Sequence, residues 1–283
     1  MDKKPIKFLH WNINRTCNYN CSYCISGNRK KSSNPDSNFL LDKFKKHLMG
    51  SWRIQLSGSG EPFLTLDFFK VVDKLVRMGH KIGVITNFSS SLEDLVKFCQ
   101  ITENKIFSFE ASLHLEEANI DEFIKKAIVI NKLIKGILLV KSVAVKGKVK
   151  RVCDIGKKFK KEGIHFSLQP QRICSHKLNG GNDPFIDYNK NEKLILKKFK
   201  RFHYGKKKFM FKGKKCWAGV KYLSVYENGE VWRCLPAKYY KLNKDYLGNI
   251  LDDNFKLRKY PDKCNYKYCY CPAAYLNNII IDK

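Results

Sequence analysis

The run Cys-Asn-Tyr-Asn-Cys-Ser-Tyr-Cys at residues 17–24 places three cysteines in the spacing Cys-x3-Cys-x2-Cys, directly after an apolar segment. Thiolates are soft ligands that suit zinc, copper(I) and iron–sulfur clusters. A 4Fe–4S cluster is normally held by four ligands, so Cys17, Cys21 and Cys24 alone would leave one iron open to a ligand from solution. The spacing therefore predicts a catalytic cluster rather than a simple electron carrier.

A zinc site and a disulfide framework are the alternatives for these thiols. Zinc sites usually take a fourth Cys or His from a second paired half-site, and His10, seven residues upstream in a strand-like stretch, is wrongly arranged to supply it. The chain holds 11 cysteines, an odd number, and no signal peptide is recognised before them. A three-ligand iron–sulfur site is the preferred interpretation.

A second motif follows the next strand-like run. The segment Leu-Ser-Gly-Ser-Gly-Glu-Pro-Phe at residues 56–63 combines a tight, glycine-rich backbone with a carboxylate. Taken alone, the segment predicts only a surface turn. Together the two motifs resemble the radical S-adenosylmethionine (SAM) superfamily, in which a Gly-Gly-Glu-Pro-like segment holds the amino group of SAM. Tyr23, before the last cysteine, matches the aromatic residue of that family's cluster loop, whereas Ser59 replaces the first glycine of the pair.

Length and composition indicate a globular protein. The 283 residues are 43% hydrophobic, enough for a full core and a smaller appended domain. No apolar run approaches the roughly 20 residues that span a bilayer. The longest, Ile134 to Val145, is interrupted by lysines, a glycine and a serine and reads as a buried strand. We expect a soluble protein without a membrane partner, in a reducing cytoplasm.

The net charge of +29 raises the question of nucleic-acid binding. Only nine of the 55 basic residues are Arg, the residue best suited to phosphate and base recognition, so a nucleic-acid partner is not expected. The densest region, Lys190 to Lys215, holds twelve basic residues interleaved with aromatics. It is interpreted as a solvated linker, with an anionic partner as the alternative.

Six strand-like runs alternate with helical patterns. The runs are Ile6–Ile13, Arg53–Ser57, Lys81–Thr86, Ile106–Ser112, Gly136–Val145 and Ile164–Leu168. Clear helical patterns cover 65–78, with Thr65 as the expected cap and Gly79 as the stop, and 148–162, ended by Gly163. Six strand–helix steps predict an α/β fold with a parallel sheet, the number found in the partial (β/α)6 TIM-like barrel of the radical SAM fold.

In such barrels the chemistry lies at the carboxyl ends of the strands. The family resemblance implies that Tyr23 contacts adenine through its backbone, that Gly60 and Glu61 meet the SAM ammonium, and that Asn87 and Ser112 supply polar contacts to SAM. Lys141, on the fifth strand, is a candidate for the SAM carboxylate, but in a Lys-rich chain it is expected to face solvent.

Further polar residues fall near the same rim. His114, Gln169, Gln171 and Arg172 are candidates for the substrate pocket, each with a structural role as the alternative. Cys174 is a candidate hydrogen-atom donor or redox group, or a buried thiol. Cys99 and Cys153 fall within helical patterns and are expected in the core.

Five more cysteines lie near the carboxyl terminus. Two runs, Tyr222–Tyr226 and Glu230–Arg233, flank an Asn-Gly turn and predict a hairpin that brings Cys216 and Cys234 together at its open end. The pattern resembles the SPASM and Twitch extensions of radical SAM enzymes, which implies one auxiliary 4Fe–4S cluster. Cys216 and Cys234 are its expected ligands, completed from Cys264, Cys269 and Cys271; structural zinc is the alternative.

The predicted organisation is therefore a partial barrel at 1–175, a basic linker or helical segment at 176–213, and a small Cys-rich α+β Twitch/SPASM-like domain at 214–283. The resemblance implies an oxidoreductase that cleaves SAM to a 5′-deoxyadenosyl radical and dehydrogenates a small, carbohydrate-like substrate, with a reductase or flavodoxin-type electron donor. Peptide epimerisation or cross-linking is the first alternative. An iron–sulfur electron-transfer protein or a nucleic-acid-binding protein without SAM chemistry is the second.

Overall fold

The computed structural model describes residues 4–25, 37–173, 185–198, 210–240, 243–266, 269 and 273–281. Up to residue 170, strands and helices alternate. The strands are β1 (Phe8–Asn12), β2 (Arg53–Ser57), β3 (Lys81–Thr86), β4 (Ile106–Leu113), β5 (Leu138–Ala144) and β6 (His165–Pro170). The helices are α1 (Ser37–His47), α2 (Phe68–Arg77), α3 (Leu92–Thr102), α4 (Ile120–Leu133) and α5 (Val149–Lys161).

The remaining elements are shorter. They comprise α6 (Lys190–Lys198), β7 (Lys215–Cys216), β8 (Tyr222–Tyr226), β9 (Glu230–Trp232), α7 (Leu235–Tyr240), β10 (Tyr246–Asn249), β11 (Asp262–Lys263) and α8 (Ala273–Leu276). Two 3-10 turns lie at Pro62–Leu64 and Asn243–Asp245. No helix among the described residues is long and apolar enough to cross a bilayer.

The central sheet runs in the order β10-β9-β8-β1-β2-β3-β4-β5-β6. Strands β1 to β6 are parallel to their neighbours, as right-handed strand–helix–strand steps require. The predicted α/β fold with a six-stranded partial barrel is confirmed. Strands β2 and β3 begin and end at the predicted residues.

Alternation along each strand separates the core from the barrel interior. On β1, Leu9 and Trp11 are fully buried in the main core, which the surrounding helices cover. His10, between them, stands in register with Gln55 of β2 and Ser224 of β8. The inner face of the sheet is therefore partly polar, whereas its outer face is apolar.

Helix α2 corrects one local prediction. The helix begins at Phe68 with Asp67 as its cap, and Thr65 instead ends the preceding 3-10 turn. The Thr65 hydroxyl is engaged by the Asn14 amide, 2.6 Å away, a contact across 51 residues that no local capping rule reveals. The predicted stop is correct, because Gly79 adopts the left-handed φ of 85° that ends the helix.

The carboxyl-terminal hairpin extends the barrel sheet. Strands β8 and β9 pair antiparallel around a turn in which Gly229 has a φ of 82°, so the predicted hairpin is confirmed. β8 also pairs in parallel with β1 along all five residues of each strand. Strand β7, which ends at Cys216, pairs with β11 in a second, small sheet. The proposed domain boundary at residue 214 stays a prediction.

The segment after β6 contacts helix α7. The Arg172 guanidinium lies over the ring of Tyr239 on α7, 5.7 Å from its centroid. The Tyr239 hydroxyl donates a hydrogen bond to the carbonyl of Ile173. The end of the barrel at β6 is therefore tied to the carboxyl-terminal segment.

Candidate active site and C-terminal cysteine cavity

The cluster loop, residues 17–24, follows β1 at the carboxyl end of the sheet. Cys21 is buried, and Cys17 and Cys24 are half-buried. A tight turn closes the second half of the loop, since the Cys24 N–H donates to the Cys21 carbonyl at 3.1 Å. The Tyr19 N–H points at the Cys17 sulfur at 3.4 Å. Local backbone bonds thus help to gather the three thiols.

Gly60 lies against the start of this loop at a distance that only glycine permits. A Cβ on Gly60 would stand 2.0 Å from the Thr16 carbonyl oxygen and 2.4 Å from Asn14 Oδ1. The neighbouring Glu61 N–H donates to the same Thr16 carbonyl at 2.7 Å. The two predicted motifs, which are distant in the chain, are thus joined backbone to backbone at Thr16.

The Glu61 carboxylate is buried and fully engaged. One oxygen accepts from the Thr86 hydroxyl at 2.7 Å, and the other accepts from the Asn87 N–H at 2.6 Å. The Phe63 N–H adds a weaker bond at 3.3 Å. Burial raises the pKa of Glu61 to about 7, although all three bonds favour the ionised form. The residue connects the ends of β2 and β3, and its contact with SAM stays a prediction.

The raised pKa of Glu61 predicts a pH effect on stability. Between pH 4.5 and 7 the native state binds more protons than the unfolded state, so this carboxyl destabilises the ligand-free fold increasingly as pH rises. We compare the free energies of unfolding of Glu61→Gln and the unmodified chain. The difference should shift in favour of Glu61→Gln by roughly 2 kcal/mol from pH 5.5 to pH 8. Urea unfolding of the cluster-free proteins at both pH values measures this, and an equal difference at both would contradict it.

Asn87 is brought directly beside the cluster loop. Its Nδ2 lies 3.7 Å from the Cys17 sulfur and donates to Asn18 Oδ1 at 2.9 Å. The following residue, Phe88, has a left-handed φ of 65°, so the chain turns sharply behind the asparagine. Ser112 stands on β4 opposite Lys141 in the β4–β5 register. The SAM contacts assigned to both residues stay predictions.

His114, a candidate for the substrate pocket, lies against the cluster loop. Its ring stacks on Tyr23 at a centroid distance of 5.9 Å, and the Tyr23 hydroxyl lies 2.9 Å from its Nδ1. Tyr19 meets the same ring edge-on at 6.0 Å. In this arrangement His114 supports the loop, and a catalytic role remains a prediction.

Two acidic residues that the sequence analysis missed also hold the loop. Glu116 accepts from the Ser22 N–H at 2.8 Å and from the Ser22 hydroxyl at 2.9 Å, and Lys148 pairs with it at 3.0 Å. Glu117 accepts from the Asn20 N–H at 3.1 Å. The sequence signal that could have indicated these two residues is their position as adjacent acidic residues just after β4, in a chain with few acidic residues.

We predict that Glu116→Gln loosens the cluster loop. The glutamine amide cannot accept both hydrogen bonds from Ser22 and also pair with Lys148. The loop should therefore lose about 1 kcal/mol of stabilisation, which corresponds to about a fivefold change in an equilibrium or rate. Iron release to a chelator from the reconstituted protein should be faster by that factor. Glu103→Gln, which breaks an exposed pair with Lys135, serves as the control. Equal release rates for both variants would refute the role of Glu116.

The barrel interior below this site is charged. Lys141 is half-buried and pairs with Glu110, so the expectation that Lys141 faces solvent is wrong. Burial, followed by the positive charges of Arg172 and Lys141, lowers the pKa of His10 to about 4. The assignment of Arg172 to the substrate pocket stays a prediction. The side chain of Gln171 accepts from the Lys146 N–H at 2.9 Å.

A second group of thiols surrounds a small cavity in the carboxyl-terminal segment. Its lining includes four cysteines, namely Cys216, Cys234, Cys264 and Cys269. Burial raises the pKa of Cys216 to about 11 and that of Cys234 well above its usual range. Burial thus disfavours the thiolate forms of Cys216 and Cys234, and metal binding would have to displace their protons.

Neither group of cysteines forms a complete metal-binding site among the described residues. Among the described residues, no three Cys, His, Asp or Glu side chains are positioned to hold a metal ion together. Cys174 and Cys271 lie outside the described residues. Cys99 and Cys153 are buried in the main core, as predicted.

Comparison with known proteins identifies the fold. No protein-family model and no curated protein matches the sequence. Among solved structures, SuiB of Streptococcus suis bound to S-adenosylmethionine matches 88% of this chain with a TM-score of 0.60 and 15% identity. Radical SAM enzymes, SuiB among them, are found among the matched structures. The chain has the radical SAM fold.

Two further structures support this likeness. SuiB bound to its precursor peptide SuiA matches with a TM-score of 0.62 and 15% identity. The enzyme anSMEcpe, with bound AdoMet and the Cp18Cys peptide, matches with a TM-score of 0.61 and 20% identity, over 88% of this chain and 78% of its own. The chain covers only 64% and 63% of the two SuiB chains, which is less than two thirds of their length.

Proposed function

We propose that this chain is a radical SAM enzyme. The observation that carries the proposal is the convergence of three segments at the carboxyl end of a radical SAM barrel. The cluster loop, the Gly60–Glu61 turn and Asn87 come from three different strand ends and are joined by direct hydrogen bonds. Such convergence at the strand ends is typical of an active site in this kind of barrel.

The donor set around the loop fits a 4Fe–4S cluster with one open iron. Cys17, Cys21 and Cys24 would supply three thiolates and leave one iron open to SAM. When bound, the cluster supplies the electron that cleaves SAM to methionine and a 5′-deoxyadenosyl radical, which abstracts a hydrogen atom from the substrate. Tyr23, Gly60, Glu61, Asn87 and Ser112 are the proposed SAM contacts.

The chain's own residues would orient this reaction and exclude water. Gly60 and Glu61 fix the cluster loop against β2 and β3, and Glu116 fixes it against β4. The contact of Arg172 with Tyr239 joins the segment after β6 to α7, and we propose that it helps to cover the open side of the barrel. A closed, dry interior protects a reactive radical from side reactions.

The four cysteines at the C-terminal cavity fit one auxiliary 4Fe–4S cluster. Four thiols around one buried space are the donor set of such a cluster. When bound, it would take up the electron that a substrate radical gives up on oxidation. A reductase or flavodoxin-type protein is the proposed electron donor for the first cluster.

Dehydrogenation of a small, carbohydrate-like alcohol is the leading proposal for the reaction. It would use the auxiliary cluster as the electron exit. Peptide modification, by epimerisation or cross-linking, is the second proposal. The observation that favours it is the bound peptide in two structures of similar fold, SuiB with SuiA and anSMEcpe with the Cp18Cys peptide.

Deuterium transfer distinguishes the two proposals. The reconstituted protein is incubated with SAM, dithionite and either polyols deuterated at the carbinol carbons or peptides deuterated at their α-carbons. Deuterium in 5′-deoxyadenosine from the polyols is the expected result, and deuterium from the peptides would support the second proposal. Transfer from neither set would overturn both substrate classes.

A further inference from the structure

The C-terminal cavity holds a buried arginine beside its four cysteines. Arg233 follows β9 directly, precedes Cys234, and is only 1% exposed. Arg233 lines the same small cavity as Cys216, Cys234, Cys264 and Cys269. The arginine therefore borders the space that these four thiols surround.

The two terminal nitrogens of Arg233 are occupied away from the cysteines. Nη1 donates to Asp245 Oδ1 at 3.2 Å and to the Lys263 carbonyl at 3.1 Å. Nη2 donates to the Asp262 carbonyl at 3.4 Å. Nε is buried and has no hydrogen-bond partner among the residues that the structure describes. A buried donor left unpaired costs about 1–3 kcal/mol, so a partner for this N–H is expected in the functional protein.

A network of polar contacts fixes the guanidinium in place. Asp245, also 1% exposed, accepts from the Tyr266 hydroxyl and from Asn265 Nδ2 at 3.0 Å. Arg258, which is itself partly exposed, lies 3.7 Å from the same carboxylate. Because Asp245 is held on several sides, the Arg233 guanidinium cannot leave its place beside the cavity without breaking this network.

We infer that Arg233 donates a hydrogen bond from Nε to a sulfur of the auxiliary cluster and thereby raises the cluster's reduction potential. The inference rests on the proposed auxiliary cluster. In its one-electron couple the reduced cluster carries one more negative charge than the oxidised cluster. A donated N–H and a nearby cation stabilise that reduced form more, and hydrogen bonds to the sulfurs are among the factors that set such potentials.

The test measures the potential of the auxiliary cluster alone. In a full-length background with Cys17, Cys21 and Cys24 changed to Ala, only the C-terminal cluster contributes iron and an electron paramagnetic resonance signal. Anaerobic redox titration then compares Arg233→Gln, which loses the charge and the Nε donor, with Arg233→Lys, which keeps the charge. Arg258→Gln is the matched control, because Arg258 pairs with Asp245 but does not line the cavity.

Arg233→Gln should make reduction at least tenfold less favourable, equivalent to 59 mV for one electron. Arg233→Lys should show a smaller shift in the same direction, and Arg258→Gln should show none. Folded Arg233 variants that lose their iron while Arg258→Gln keeps it would also support the contact. An unchanged potential in Arg233→Gln would overturn the proposed hydrogen bond to the cluster. Unfolding of both Arg233 variants would also overturn it and would indicate a structural role for Arg233. A background protein that binds no iron would refute the auxiliary cluster itself.

Discussion

Gly60→Ala is expected to lower the rate of 5′-deoxyadenosine formation by about a hundredfold or more, with the barrel still folded. The added methyl group would stand 2.0 Å from the Thr16 carbonyl oxygen and 2.6 Å from the Arg15 carbonyl carbon. Both are backbone atoms, which cannot rotate aside as a side chain can. The start of the cluster loop must therefore shift, and Cys17 must shift with it.

The control for this variant is Gly136→Ala. A methyl group there would meet its nearest atom, Ile106 Cγ2, at 3.6 Å, which is an ordinary contact. The rate of 5′-deoxyadenosine formation and the iron content should both equal those of the unmodified protein. If Gly60→Ala also keeps the unmodified rate, the close joining of the two motifs is not required for the chemistry.

Changing Cys216 and Cys234 together to Ala should remove about four of about eight irons per chain while SAM cleavage persists. The two thiols line the C-terminal cavity and lie on segments separate from the cluster loop. Loss of both leaves too few thiolates for a second cluster. Product formation from the substrate, unlike SAM cleavage, should fall, because the substrate radical loses its electron acceptor.

The matched control is the double change of Cys99 and Cys153 to Ala. Both thiols are buried in the main core among apolar side chains, so this variant should keep all of its iron. Iron and zinc analysis of the purified proteins measures the effect. Unchanged iron in the Cys216 and Cys234 variant would remove the auxiliary cluster from the account, and loss of zinc instead would identify a structural zinc site.

Much of the barrel could be predicted from the sequence because its signals are local. Strands β2 and β3 are short apolar runs between turn residues, and Gly79 ends α2 through its own backbone conformation. The Asn-Gly turn similarly predicts the hairpin β8–β9. The family resemblance added the expectation that the cluster loop and Glu61 share one site, and the contact of Gly60 with Thr16 confirms that these segments meet.

Several other contacts between distant segments could not be predicted. Thr is a residue type that often caps helices, yet the Thr65 hydroxyl accepts a hydrogen bond from Asn14, in the loop after β1. Glu116 contacts the cluster loop across 94 residues, and Lys141 finds Glu110 across 31. The pairing of β8 with β1 depends on an apolar outer face matched between strands more than 200 residues apart. These positions depend on how the whole barrel packs.

We propose that this chain cleaves SAM reductively at a cluster held by Cys17, Cys21 and Cys24. The formation of 5′-deoxyadenosine by anaerobically reconstituted protein supplied with SAM and dithionite tests this proposal. We expect 5′-deoxyadenosine from the unmodified protein and none from Cys17→Ala. No 5′-deoxyadenosine from protein with a full iron and sulfide content, or equal amounts from Cys17→Ala, would contradict it.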